Sequence, residues 1–246
     1  MADPPAPFNA KNLIAPEEAR RAIYVDFEGR KAEPEMLLGA SWQRKKSGPP
    51  SLRHYVIDKR LSPIADQIVW DGDVAEHEWA VTTTRDAITD LLRLARKQDR
   101  LIVAWSQHDF KVVAEGPGLS PYQRHHLVPR YRDAKETARK WVNRGVAGMA
   151  LPPGKGHTLD RYQRLIGYEV PPAFGVGKTG TNLGELIKAL EKRGEWDCLT
   201  DKQQQRAREV VGHNYFDLDS MREIVLRAAE ETAAWNSTQA QEHVKR

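Results

Sequence analysis

The sequence predicts an α/β protein: a mixed sheet opening with a three-strand meander, then a helix and a further strand, flanked by helices, with a mainly helical second half. Three observations predict it. Short runs rich in β-branched and aromatic residues fill the first sixty positions. One amphipathic helical pattern then feeds another buried strand, and helical periodicity dominates after residue 134.

Element by element, AIYVDFE (22–28) is a compact apolar run with two acids inside it, closed by Gly29, and reads as a central strand. MLLGASW (36–42) and LRHYVID (52–58) are the next two strands, joined by the loop RKKSGPPS. A polar, Trp-containing stretch (59–80) leads to TTTRDAITDLLRLARKQ, in which Ala87, Ile88, Leu91, Leu92, Leu94 and Ala95 recur at helical spacing. LIVAWS (101–106) follows as a buried strand. Segments 134–144, 158–166, 182–193, 200–211 and 215–235 carry helical patterns between Pro/Gly-rich loops. Thr200 and Gln203 make a capping-box start, and Gly212 is placed to end that helix. The expected organisation is a disordered lead (1–20), one domain (21–235) and a polar tail (236–246).

A chain of 246 residues suits one such domain and one active site. Mean hydropathy is −0.66, and no apolar run approaches the roughly 18 residues of a membrane helix. The Pro- and Ala-rich opening lacks the charged head and apolar stretch of a signal peptide, and the single cysteine, Cys198, makes neither an internal disulfide nor a thiolate zinc cluster. Both features point to the cytoplasm. A net charge of +4 permits an acidic partner. More telling is its distribution: Arg124, Arg130, Arg132, Lys135, Arg139, Lys140 and Arg144 face only Asp133 and Glu136 between Tyr122 and Arg144, with Tyr122, Tyr131 and Trp141 interleaved. Cations alternating with rings are what a nucleic-acid backbone and its bases require, although a solvated helix with Ala138, Trp141 and Val142 turned inward gives the same pattern.

The acids carry the chemistry. Side chains alternate along a strand, so Asp26 and Glu28 share one face of IYVDFEG. Two anions there are costly unless a cation compensates them. Asp109 follows the end of LIVAWS, where α/β sheets present functional groups, and either it or Ser106 also suits a helix N-cap. The segment VVGHNYFDLDSMREIVLRAAEE offers Asp217 and Asp219; Leu218, Met221, Ile224 and Val225 form a core stripe that Asp217 adjoins. Asn214 as N-cap and Asp217 as the N3 acid is the structural alternative. GVGKT (175–179) lacks the first glycine and preceding strand of a phosphate loop, leaving Lys178 only as a phosphate contact. His54, His77, His108, His125, His126 and His157 lack zinc-ligand spacing.

With these residues in place, the chain resembles the DEDD exonucleases of the RNase H-like superfamily, in particular a predicted-nuclease branch that accompanies helicase-type or recombination-type modules. The resemblance runs from about Ile23 to about Ala228 and includes HTLDRYQRLIGYEVP (157–171) as a middle signature. It implies an RNase H-like fold and a 3′-to-5′ exonuclease acting on DNA or RNA through two Mg²⁺ or Mn²⁺ ions. Asp26 would bridge both ions, Glu28 and Asp217 would hold one of them, and Asp109 would complete the set through water. A helicase-type or recombination-type protein is the implied partner. Relatives carry Tyr four residues before the last Asp, or His five before it. Here His213 precedes Asp217 by four and Tyr215 precedes Asp219 by four, so both pairs stay open, with His213 as general base on a loop in the first. A catalytically degenerate binding module and an endonuclease on the same fold are the alternatives.

Overall fold

The computed structural model describes residues 13–30, 34–45, 47–105, 109, 119–175, 177 and 179–244. Ser106, His108 and Lys178 lie outside the described residues. The chain enters through α1 (Pro16–Arg21), which has proline in its first turn, where no amide hydrogen bond is lost. Ile14 and Ala19 are buried, and the Tyr24 hydroxyl donates to the Ala19 carbonyl at 2.8 Å. Residues 13–20 are therefore ordered against the core, contrary to the expectation of a disordered lead.

Strand β1 (Ile23–Gly29) pairs antiparallel with β2 (Glu35–Trp42), and β2 pairs antiparallel with β3 (Ser51–Val56). This is the expected meander. A 3₁₀ turn at Lys59–Ile64 then brings in β4 (Glu76–Val81), parallel to β3 on the sheet edge. The sequence reading missed β4 because EHEWAV carries charges along an edge strand that is nowhere fully buried. Helix α2 (Thr84–Gln98) starts where the Thr83 hydroxyl accepts from the Asp86 amide at 3.1 Å. It leads to β5 (Ile102–Ala104), parallel to β1; α3 (Pro121–Leu127) leads to β6 (Tyr131–Asp133), parallel to β5. The mixed sheet has six strands in the order β4-β3-β2-β1-β5-β6.

Both faces are covered. Ile23, Val25, Leu38 and Ala40 pack on Ala87, Ile88, Leu91 and Leu92 of α2. The other face carries Tyr24, Leu52 and Val103 against α4 (Ala134–Asn143), α5 (Leu159–Ile166) and a long C-terminal helix. Met36, Leu37 and Val56 meet α6 (Thr179–Arg193). The C-terminal helix is one continuous α7 (Asp201–Val244), so the two predicted helices and the predicted polar tail as far as residue 244 are a single element. Its Leu218, Met221, Ile224 and Val225 are all fully buried, as the predicted stripe requires. Among the described residues no helix is long and apolar enough to cross a membrane.

Gly212 does not end a helix. A Cβ built there would lie 2.4 Å from the Phe174 ring and 3.0 Å from Trp70, so glycine is what lets these rings close on α7. Alanine in a helix normally gains about 1 kcal/mol over glycine, whereas forced overpacking costs about 1–3 kcal/mol. Gly212→Ala should therefore lower stability in urea denaturation by up to about 2 kcal/mol; a raised midpoint would show that the rings yield freely.

Candidate metal centre

The bulge between Glu28 and Gly29, where Gly29 pairs with Glu35 and skips Met36, ends β1 beside the site. Asp26 and Glu28 point from β1 to the α7 face. Helix α7 crosses that face and contributes His213, Asn214 and Asp217 within little more than one turn. His213 Nδ1 donates to the Phe174 carbonyl at 2.7 Å, because a carbonyl can only accept. This leaves its Nε2 lone pair facing Glu28 Oε1 at 3.8 Å and Asp217 Oδ2 at 3.5 Å. One ligand atom from each of Glu28, His213 and Asp217 lies within 4.8 Å of the others, a spacing that can hold a cation. His213 sits inside α7, not on the expected loop, and Asn214 is likewise internal rather than an N-cap.

The electrostatics of the cluster are those of like charges held together. Burial, reinforced by Glu28, Asp217 and Asp109, raises the Asp26 carboxyl well above its ordinary range. Burial and Asp217 push Glu28 up to about 7 against the pull of His213 and a hydrogen bond from Asp26. Asp217 is also raised by burial, with His213 and Gln163 opposing. Burial alone would lower the His213 imidazole, yet Asp217, Glu28 and the Phe174 carbonyl raise it overall. Asp109 is buried and near enough to raise Asp26.

Asp217 and Asp219 are separated by the fold. Asp217 receives Gln163 Nε2 at 3.5 Å and faces His213, whereas Asp219 accepts the Tyr168 hydroxyl at 2.6 Å. Tyr215 is buried against Trp70, with ring centroids 4.9 Å apart.

The basic segment does not form one surface. Trp141 is fully buried, and its indole donates to Glu231 at 2.7 Å, so it is a core residue and not a stacking ring; Tyr131 is buried as well. Arg130 lines a cavity with Asp99, Arg100 and Leu101 at the N-terminal ends of β5 and β6, away from the carboxylates. Arg132 donates to the Pro129 and Tyr131 carbonyls. Arg124 belongs to α3, which packs on α2 at the opposite sheet face. Lys135 and Arg139 are close enough to influence His157, and Arg139 also influences Tyr162, which precedes the Gln163 that reaches Asp217. Lys140 shares α4 with them.

Sequence reasoning missed Asn214, His54, His77 and Gln163. An isolated glycine within β2, Gly39, was the available signal, since glycine inside a strand marks close approach by another group. No family model, characterised protein or solved structure matches the chain.

The raised carboxyls fix a sign. Folding raises Glu28 from 4.5 to about 7, so its protonation contributes stability in full below about pH 4.5, and that contribution is lost as pH rises through about 7. Asp26→Asn removes a repelling neighbour. In metal-free buffer its melting temperature should exceed that of the parent by a margin that is small at pH 4 and widens toward pH 8, and Mn²⁺ should reverse the order. A margin independent of pH would show that these carboxylates do not repel one another.

Proposed function

We propose that the chain is a metal-dependent phosphodiester hydrolase on an RNase H-like core, acting as a 3′-to-5′ exonuclease on DNA or RNA. The observation that carries this reading is the convergence of Glu28, His213 and Asp217 donor atoms within 4.8 Å beside Asp26, on carboxyls whose raised pKa values call for a compensating cation. The strand order β3-β2-β1-β5-β6, with a meander first and a helix before β5, is the order expected of that core and supports it. Hard carboxylates with one imidazole suit Mn²⁺ and accept Mg²⁺.

A bound divalent cation supplies Lewis acidity, lowering the pKa of water and neutralising phosphate charge. The chain's own residues do the rest. Glu28, His213 and Asp217 would hold one ion; Asp26 and Asp109 extend the set toward a second. Because Nδ1 of His213 is engaged by Phe174, its free Nε2 is directed between two carboxylates, which favours a ligand role over the general-base role that the sequence suggested. Gln163 steadies Asp217 and Ser220, to which it donates at 2.8 Å. Lys135 and Arg139 supply positive charge on the α4–α5 side for a phosphate backbone.

Incubation of a labelled single-stranded oligonucleotide with Mn²⁺ tests the proposal. Stepwise shortening from the 3′ end is expected, with loss of cleavage in Asp26→Asn and far greater loss in Asp217→Asn than in Asp219→Asn. His213→Ala should weaken Mn²⁺ binding by at least about 10–100-fold, since losing a ligand costs no less than losing an outer-shell partner. A fall in turnover of about 10²–10⁴-fold with unchanged Mn²⁺ affinity would make it the general base instead. Intact oligonucleotide with normal Mn²⁺ uptake would make the domain a binding module, and cutting of circular substrate would make it an endonuclease.

A further inference from the structure

Asp26, Gly39, His54 and Trp79 are cross-strand neighbours in one row running across β1, β2, β3 and β4. Over this row lies an unbroken chain of hydrogen bonds, part-buried at its His77 end and buried between His54 and Asn214. The Trp70 backbone amide donates to His77 Nδ1 at 3.1 Å, His77 Nε2 lies 2.8 Å from His54 Nδ1, and His54 Nε2 lies 3.1 Å from Asn214 Oδ1. Asn214 Nδ2 donates to Asp26 Oδ2 at 2.8 Å and to the Asp26 carbonyl at 3.2 Å.

The direction of the chain is forced from its outer end. A backbone amide can only donate, so His77 Nδ1 is bare and the ring's proton is on Nε2. That proton goes to His54 Nδ1, so the His54 proton is also on Nε2 and goes to Asn214. An Asn214 oxygen held by His54 turns its NH₂ toward Asp26, and every polar atom along the path is satisfied. Burial keeps both rings neutral, pushing His54 down to about 3 and His77 to about 4. His54 is also clamped by Trp79, stacked at 5.0 Å. Space for the bridge exists only because residue 39 has no side chain: a Cβ there would lie 1.7 Å from Asn214 Oδ1.

We infer that His77, His54 and Asn214 are positioning residues that fix which oxygen of Asp26 is tied down and which is left for a cation. Asn214 occupies Oδ2, so Oδ1 is the atom left for a cation, and the edge strand β4 would become part of the support of the metal centre. This rests on the cation-binding reading above. Were the amide to turn over, Asn214 Oδ1 would face a carboxylate, and Asp26 would lose both its donor and its fixed rotamer.

Two substitutions at His77, which touches neither Asp26 nor the proposed ligands, separate this role from packing. In His77→Gln the side-chain amide can still accept from Trp70 and donate to His54, whereas His77→Leu keeps bulk and loses both. Long-range ¹H–¹⁵N NMR of the parent should show both rings neutral and protonated on Nε2 at pH 7. The Asn214 side-chain NH₂ signals should shift in His77→Leu and return toward parental positions in His77→Gln. Mn²⁺ affinity, by calorimetry, should fall about 10–100-fold in His77→Leu and recover to within a few-fold in His77→Gln. A charged or Nδ1-protonated His54, unmoved Asn214 signals in His77→Leu, or equal Mn²⁺ affinity in that variant and the parent would overturn the inference. If the parent takes up no Mn²⁺ while the NMR signatures hold, the cation reading fails and the positioning of Asp26 stands.

Discussion

Everything at the site follows from placing carboxylates side by side on the covered face of a central strand. Asp26 and Glu28 cannot both be ionised there without a compensating charge, because burial removes the water that would screen them and α7 adds Asp217 to the same volume. The fold keeps the cluster by two devices. Burial and mutual repulsion raise Asp26, Glu28 and Asp217, which favours their protonated forms when no cation is present, and neutral donors, Asn214 on Asp26 and Gln163 on Asp217, hold the carboxylates without adding charge. A cation would replace the first device and use the second.

The geometry of approach is set by glycines. Gly39 lets the Asn214 amide descend between β1 and β3, and Gly212 lets Trp70 and Phe174 close against the same helix two residues before Asn214. Phe174 in turn fixes the His213 ring through its carbonyl. The aromatic packing on Gly212, Tyr215 and Phe216 of α7 and the polar bridge at Asn214 therefore hold the same stretch of helix at a fixed height above the sheet.

The central strands were legible because period-two alternation in IYVDFEG and the runs at 36–42 and 52–58 are strong local signals. That Asp217 rather than Asp219 faces the β1 carboxylates was legible for a similar reason, since the stripe of Leu218, Met221 and Val225 fixes the phase of the helix. Short strands such as Tyr131–Asp133 were not, because three residues carry no periodicity. Gly212 misled because its local signature, glycine after a helical run, is also that of a C-cap; the rings that demand it come from residues 70 and 174. His54, His77 and Asn214 are joined across 160 positions of chain between His54 and Asn214, and no spacing rule reaches that far. Trp141 was misjudged because a ring among cations looks alike whether it faces solvent or, as here, the core beside Glu231.

The central claim is that Glu28, His213 and Asp217 hold a divalent cation with Asp26 at its side. The most direct test is a crystal soaked in Mn²⁺ and measured at a wavelength where manganese scatters anomalously. The account predicts an anomalous peak within bonding distance of Glu28 Oε1, His213 Nε2 and Asp217 Oδ2, with Asp26 Oδ1 turned toward the metal cluster and Oδ2 still on Asn214. A map with no peak there in the presence of Mn²⁺ would contradict it.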